Sequence, residues 1–293
     1  MQMAESDPPT ISLLISAYDQ IEHTKRCLQH LNKTLQGKIH YEVLVIDDGS
    51  TDGTQAWLRS LKDPCKVFFN RKNVGFAKSN NVLAAEAKGE FLCFLNNDVF
   101  VEGDWLLPLV EVFRKKKKVG MVGNVQKIWN SSRYDHMGVV FAPEGNPRHF
   151  GQGFWHRPFK GEVRSWSAVT AACCVTRREL FLELGGFDEI FLNGCEDIDL
   201  CLRMNQSGLS NFVVHDSVVR HVKGASEGRK KFNDRNASLL ADRWKRLIQT
   251  NQSIRDQKLH AYTYFHRGLS RPWSIHFGKW MDSMRILIGI REL

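Results

Sequence analysis

Between residues 11 and 125, short and continuously apolar runs alternate with stretches of helix length. The runs are "ISLLISAY" (11–18), "YEVLVIDD" (41–48), "KVFFN" (66–70), "FLCFL" (91–95) and "VGMVGNV" (119–125), and the gaps predict helices near residues 23–35, 54–61, 76–87 and 105–114. Strands that are apolar on both faces and separated by helices imply an α/β fold, with a mostly parallel central sheet flanked by helices. Sheets of this kind bind ligands outside the carboxyl ends of their strands. After residue 125 the rhythm gives way to "FAPEGNPRHFGQGFWHRPFKG", whose Gly, Pro and aromatic residues predict turns and hairpins. The chain therefore divides into a flexible tail (1–10), a first half (11–125), a second half (126–226) and a basic helical extension (227–293).

Charge is concentrated in that extension. Residues 221–293 carry 15 Lys/Arg and 6 Asp/Glu, which accounts for the whole net charge of +9 and leaves the rest neutral. A basic tail on a neutral body suits an anionic partner such as lipid headgroups, or it is a solvated face. "RKKKK" (114–118) reads as a helix end, where cations meet the negative end of the dipole. "MQMAESDPPT" lacks the basic segment and apolar stretch expected of a leader, and no apolar run approaches the roughly 18 residues of a membrane span. A cytoplasmic protein is expected, peripheral at most on the inner face of the cell membrane. Seven cysteines without a CxxC pair read as reduced thiols.

Polar residues collect where the apolar strands stop. Asp47 and Asp48 end one run, and "FLCFLNND" ends on Asn96, Asn97 and Asp98, so these carboxylates should share one rim of the sheet. Gathered carboxylates repel one another, which a hard divalent cation or a cationic ligand relieves. Turn and capping chemistry is the alternative for "DDGSTDGT" and "NND". In "GGFDEIFLNGCEDIDLCLR", Glu196, Asp197 and Asp199 open a helix after a Gly-containing loop. A cap needs one acid, and a carboxylate beside a cleft is what a general base requires for a hydroxyl nucleophile.

Taken in order, "VLVIDDGSTDGT", "NVGFAKSNN", "FLCFLNNDV", "GGFDE" with "EDIDLCLR", and "VVRHVKGAS" resemble the inverting family 2 glycosyltransferases of GT-A fold, within them the rhamnosyltransferase-like subgroup. The resemblance implies sugar transfer from a pyrimidine nucleoside diphosphate donor to a hydroxyl of a glycan or lipid-linked glycan in cell-surface polysaccharide synthesis. It makes residues 11–125 the donor-binding half and 126–226 the acceptor and catalytic half. Asp197 matches the catalytic base, with Glu196 orienting it or contacting the acceptor. Asp47, Asp48, Asn73, Lys78, Asn80 and Asn97 fall in donor-binding stretches. Asp98 and His221 match contacts to Mg²⁺ or Mn²⁺ or to the diphosphate. Asn96 stands where a strict DxD motif has its first acid, Ala171 where relatives commonly have Gly, and Lys78 and Ser79 where a Gly pair is common. Arg203 is expected to pair with a carboxylate or the diphosphate. A metal-dependent nucleotidyltransferase would want a Gly-rich basic loop near the first strand, which "SAYDQIEHTKR" does not offer. A nucleic-acid-binding protein would leave the acids at 196–199 without a purpose. In the tail, "FGKWMDSMRILIGIREL" puts Phe277, Trp280, Met281, Met284, Leu287 and Ile288 near one face, suited to a bilayer interface or to packing on the body.

Overall fold

A computed structural model describes residues 10–61, 65–222 and 229–290. In chain order these form β1 (Ile11–Ala17), α1 (Ile21–Leu35), β2 (Tyr41–Asp47), α2 (Thr54–Ser60), β3 (Cys65–Phe69), α3 (Phe76–Glu86), β4 (Phe91–Leu95), β5 (Val99–Val101), α4 (Leu107–Lys115) and β6 (Val119–Ile128). There follow β7 (Tyr134–His136), β8 (Val139–Phe141), β9 (Pro147–His149), β10 (Val163–Trp166), β11 (Cys173–Arg177), α5 (Arg178–Glu183), α6 (Glu196–Gln206), β12 (Ser210–His221), α7 (Asn233–Leu247), α8 (Ser253–Ser270) and α9 (Phe277–Leu287). The tail expected over 1–10 lies outside the described residues except for Thr10, as do residues 223–226 of "VVRHVKGAS".

The central strands β1, β2 and β4 bury both faces, whereas edge strand β3 is half-buried, so alternate residues of the central strands serve two cores. Ile11, Leu13 and Ile15 of β1 join Cys27 and Leu31 of α1 and Leu109 of α4 on one side. Leu14 joins Leu44, Ile46, Leu92 and Phe94 with Leu83 of α3 and Leu200 of α6 on the other. This two-sided burial explains why the runs are continuously apolar rather than alternating. The main sheet runs β10-β12-β6-β11-β4-β1-β2-β3, with β5 added beside β12 and β7 beside β6. β3, β2, β1 and β4 are parallel neighbours, whereas β11 is inserted antiparallel between β4 and β6. β8 and β9 form a separate hairpin.

β5 has no counterpart in the sequence reading, because three residues are too few to register as a run. Its pairing matters nonetheless: His221 lies opposite Val99, which sets the end of β12 beside "NND". The expected helical extension is present, and α7 buries Leu240 and Trp244 against Phe141, Phe191 and Leu202. In α9, Trp280 stacks on Phe265 of α8 at 5.5 Å and donates from Nε1 to the Phe265 carbonyl at 3.0 Å. Phe277 and Ile288, expected on that same face, are exposed. α4 ends within the lysine run, with Arg114 and Lys115 in its last turn paired to Glu111. The seven cysteines are free thiols.

Candidate active site

Strand ends β1, β2 and β4 and the start of α6 surround a cleft of about 270 Å³. Asp48, Asn73, Asn96, Asn97, Asp98, Glu196 and Asp197 all line it. At the β2 end, Asp48 is nearly buried, and one carboxylate oxygen accepts from Asn70 Nδ2 (2.8 Å) and Val74 N (2.9 Å) while the other accepts from Gly75 N (2.9 Å). Burial pushes its pKa up and these hydrogen bonds oppose the rise. Asp48 thus clips the 70–75 loop to the sheet. Gly49 lets the loop come so close: its φ is +80°, and a Cβ there would lie 2.6 Å from the carbonyl carbon of Lys72.

The neighbouring positions divide between cleft and scaffold. Asp47 is fully buried behind the rim, where Oδ2 accepts from the backbone of Gly49 and Ser50. Asn80 is buried and donates to Ser16 Oγ and the Phe76 carbonyl. Lys78 is exposed and stands 3.9 Å from Glu189. Asp47, Lys78 and Asn80, expected on the donor side, are not among the residues that line the cleft. Asn97 reaches it while donating to Thr24 Oγ1 at 2.9 Å.

Strand pairing of β5 with β12 brings Asp98 and His221 together. His221 Nε2 is 3.2 Å from Asp98 Oδ1, and Nδ1 is 3.0 Å from Gln126 Oε1. Nε2 has no aligned hydrogen-bond partner among the described residues although the ring is 97% buried, being 3% exposed. A buried imidazole nitrogen left open beside a carboxylate fits a cation. Among the described residues no group of three or more His, Cys, Asp or Glu is gathered to hold a metal. Two protein ligands suit a hard divalent ion that completes its shell with water and substrate phosphates.

α6 begins unconventionally. Asn193 and Cys195 both take positive φ (53° and 72°), so the loop turns sharply and points the first acids inward. Asp197 accepts from Ala171 N (2.9 Å) through Oδ2 and from Ile198 N (2.8 Å) through Oδ1, which fixes the carboxylate at the cleft wall. Glu196 Oε2 accepts from Gly194 N at 2.6 Å. Asp199 faces away, fully buried, and takes Arg203 Nε, Arg243 Nη1 and Trp244 Nε1, each at 2.8 Å. Arg203 also donates to the Leu184 and Gly186 carbonyls, so of the two partners expected for it, it has the carboxylate.

Sequence reasoning missed three residues at this site. Asn193 Oδ1 accepts from Phe76 N at 3.0 Å, tying the loop before α6 to the start of α3. Asn236 of α7 donates to the carbonyls of Leu192 and Gly194, both at 2.9 Å, bracing that loop from behind. His149 of the hairpin lines the cleft. Only Asn193 had a usable cue, since Asn before Gly favours left-handed backbone.

The fold is shared with solved structures. GalNAc-T7, solved with UDP, GalNAc and Mn²⁺, aligns over 82% of this chain and 50% of its own with a TM-score of 0.65 and 20% identity. The mannosyltransferase PcManGT from Pyrobaculum calidifontis, solved with GDP-Man and Mn²⁺, aligns over 98% of this chain and 77% of its own (TM-score 0.59, 19% identity). In sequence, the O-antigen biosynthesis protein RfbC of Myxococcus xanthus is 35% identical over 200 residues, 64% of this chain. The chain spans only 15% of that relative's length. The family model for glycosyl transferase family 2 matches residues 12–185, well over half the chain. The chain belongs to glycosyl transferase family 2.

Proposed function

We propose that this chain transfers a sugar, with inversion, from a pyrimidine nucleoside diphosphate donor to a hydroxyl of a glycan or lipid-linked glycan. The observation that carries the reading is a single cleft lined by Asp48, by the Asp98 of the Asp98–His221 pair and by the backbone-anchored carboxylate of Asp197. Asp48 with its clipped 70–75 loop serves the nucleoside, joined by Asn73 and Asn97. Asp98 and His221 hold Mg²⁺ or Mn²⁺, which when bound neutralises charge on the leaving diphosphate. Asp197 accepts the proton of the acceptor hydroxyl as that oxygen bonds to the anomeric carbon and the bond from that carbon to the phosphate oxygen breaks. Glu196 orders the Gly194 turn and lies on the acceptor side. Asp47, Lys78 and Asn80 act as scaffold.

Rhamnose as the sugar rests on the motif resemblance, and a surface-polysaccharide acceptor is in keeping with the O-antigen relative. Contact with an anionic membrane is supported by Trp273 and Phe277, exposed at 83% and 69% beside Arg267 and Arg271 at the turn between α8 and α9. No helix among the described residues is long and apolar enough to cross a membrane. The donor assignment is tested by thermal shift with UDP, dTDP, GDP and their sugars, with and without Mn²⁺ or Mg²⁺. A metal-dependent rise in Tm with a pyrimidine diphosphate is expected. No rise with any nucleotide at millimolar concentration would remove the donor site.

A further inference from the structure

The hairpin β8–β9 delivers a histidine to the cleft that no family motif marked. His149 lines the same cavity as Asp98 and Asp197, with a third of its side chain exposed (33%). Behind its Nδ1, at 3.9 Å, lies Oδ2 of Asp135, a carboxylate only 4% exposed. The other oxygen of Asp135 is 3.3 Å from Gln152 Nε2. His136 meets the His149 ring edge-on, at 4.7 Å between centroids and 75° between planes.

His136 itself is fully buried, and neither ring nitrogen has a hydrogen-bond partner among the described residues. Burial and the neighbouring imidazoles hold its pKa well below the ordinary value, so it acts as an uncharged backing for His149. Strand register then links this wall to the cation pair. His136 of β7 lies opposite Gln126 of β6, and Gln126 Oε1 contacts His221 Nδ1. Polar groups buried in a row like this cost free energy unless something in the cleft makes use of them.

We propose that His149 contacts the distal phosphate of the donor, with Asp135 as its positioning residue; this deepens the nucleoside diphosphate reading above and rests on it. A carboxylate behind the ring favours the imidazolium, and a phosphate in front completes an alternation of negative, positive and negative charge. A neutral sugar hydroxyl gains no such benefit. When the bond between the anomeric carbon and the phosphate oxygen breaks, the electron pair stays on the phosphate. His149 meets that growing charge by hydrogen bonding, without giving up its proton. The contact therefore strengthens toward the transition state.

The test compares UDP, dTDP and GDP with the matching monophosphates by calorimetry in Mn²⁺, for wild type, His149→Ala, His149→Lys and Asp135→Asn. His149→Ala should lower the diphosphate-to-monophosphate affinity ratio roughly tenfold, the scale of one hydrogen bond to a charged group. Monophosphate affinity and Tm should stay at wild-type values. His149→Lys, which restores a cationic donor, should recover part of the ratio, and Asp135→Asn should lower it in the same direction. An unchanged ratio in His149→Ala, or an equal loss for mono- and diphosphates, would overturn the assignment while leaving the donor site standing. Wild type that binds no diphosphate at all would overturn the donor site as well.

Discussion

Asp48 and Gly49 show how one turn serves both fold and site. The carboxylate takes three hydrogen bonds from the 70–75 loop, and the glycine leaves room for the loop to lie against it. Gly49→Ala must fit a methyl against backbone and hold a left-handed φ, which should cost about 2–4 kcal/mol. Urea denaturation measures this, and a variant as stable as wild type would mean that the loop is not pinned there. Asp98→Asn and His221→Ala should each remove the metal-dependent part of nucleotide stabilisation and spare the metal-independent part. A full metal response in both variants would show that the cation binds elsewhere. The carboxylates were legible in sequence because an apolar run that stops on acids places them at a sheet end. Their division of labour was not: Asp47 and Asp48 are adjacent, yet the half-turn of a strand end sends one into the backbone and the other to the cleft. Lys78 and Asn80 belong to a stretch expected on the donor side, and α3 carries Lys78 toward Glu189 and Asn80 toward β1.

At the scale of elements, the helical extension and the loop that leads into α6 support one another. Asp199 gathers Arg203 from α6 with Arg243 and Trp244 from α7, and Asn236 holds the loop that precedes α6. Asp199→Ala would leave a buried indole N–H and two guanidinium groups short of a partner. Because Arg243 is 38% exposed and keeps Asp188, the expected loss is at the modest end, about 2–3 kcal/mol. A shift in denaturant midpoint measures it, and the loss should carry no change in metal preference. A stability equal to wild type would mean that the polar contacts through Asp199 do not tie α7 to α6. Alternating apolar runs made the parallel strands readable, since each is long enough to show a pattern. β5 was not readable, because a strand of three residues is defined by its partner; the β8–β9 hairpin was legible only as a Gly- and Pro-rich stretch that predicts hairpins, not as two particular strands. His149 and Asn236 were missed for the same reason: their meaning arises only when distant segments meet.

Across the whole molecule, buried histidines should shape the acid limit of stability. His215 is fully buried against Phe159 and Trp166, and desolvation, the main cause, pulls its pKa down from 6.5 to about 4. Protons then bind the unfolded chain more tightly, so this contribution is complete above pH 6.5 and is lost as pH falls toward 4. The span corresponds to about 3 kcal/mol. His215→Phe should flatten the pH dependence of stability over that window, and an unchanged slope would assign the acid sensitivity to other groups. Trp273→Ala with Phe277→Ala should weaken sedimentation with anionic liposomes and leave nucleotide binding intact; equal sedimentation would favour a protein partner or open solvent at that turn. In the proposed mechanism glycosyl transfer depends on Asp197, whose substitution by Asn keeps the shape and an oxygen able to accept from Ala171 N. The most direct measurement is therefore release of nucleoside diphosphate from the sugar donor that stabilises the protein, with glycan acceptors or water, by wild type and Asp197→Asn. Turnover should fall by about 10²–10⁴-fold while the donor raises the Tm of both proteins equally. Asp197→Asn turning over at the wild-type rate would contradict the account.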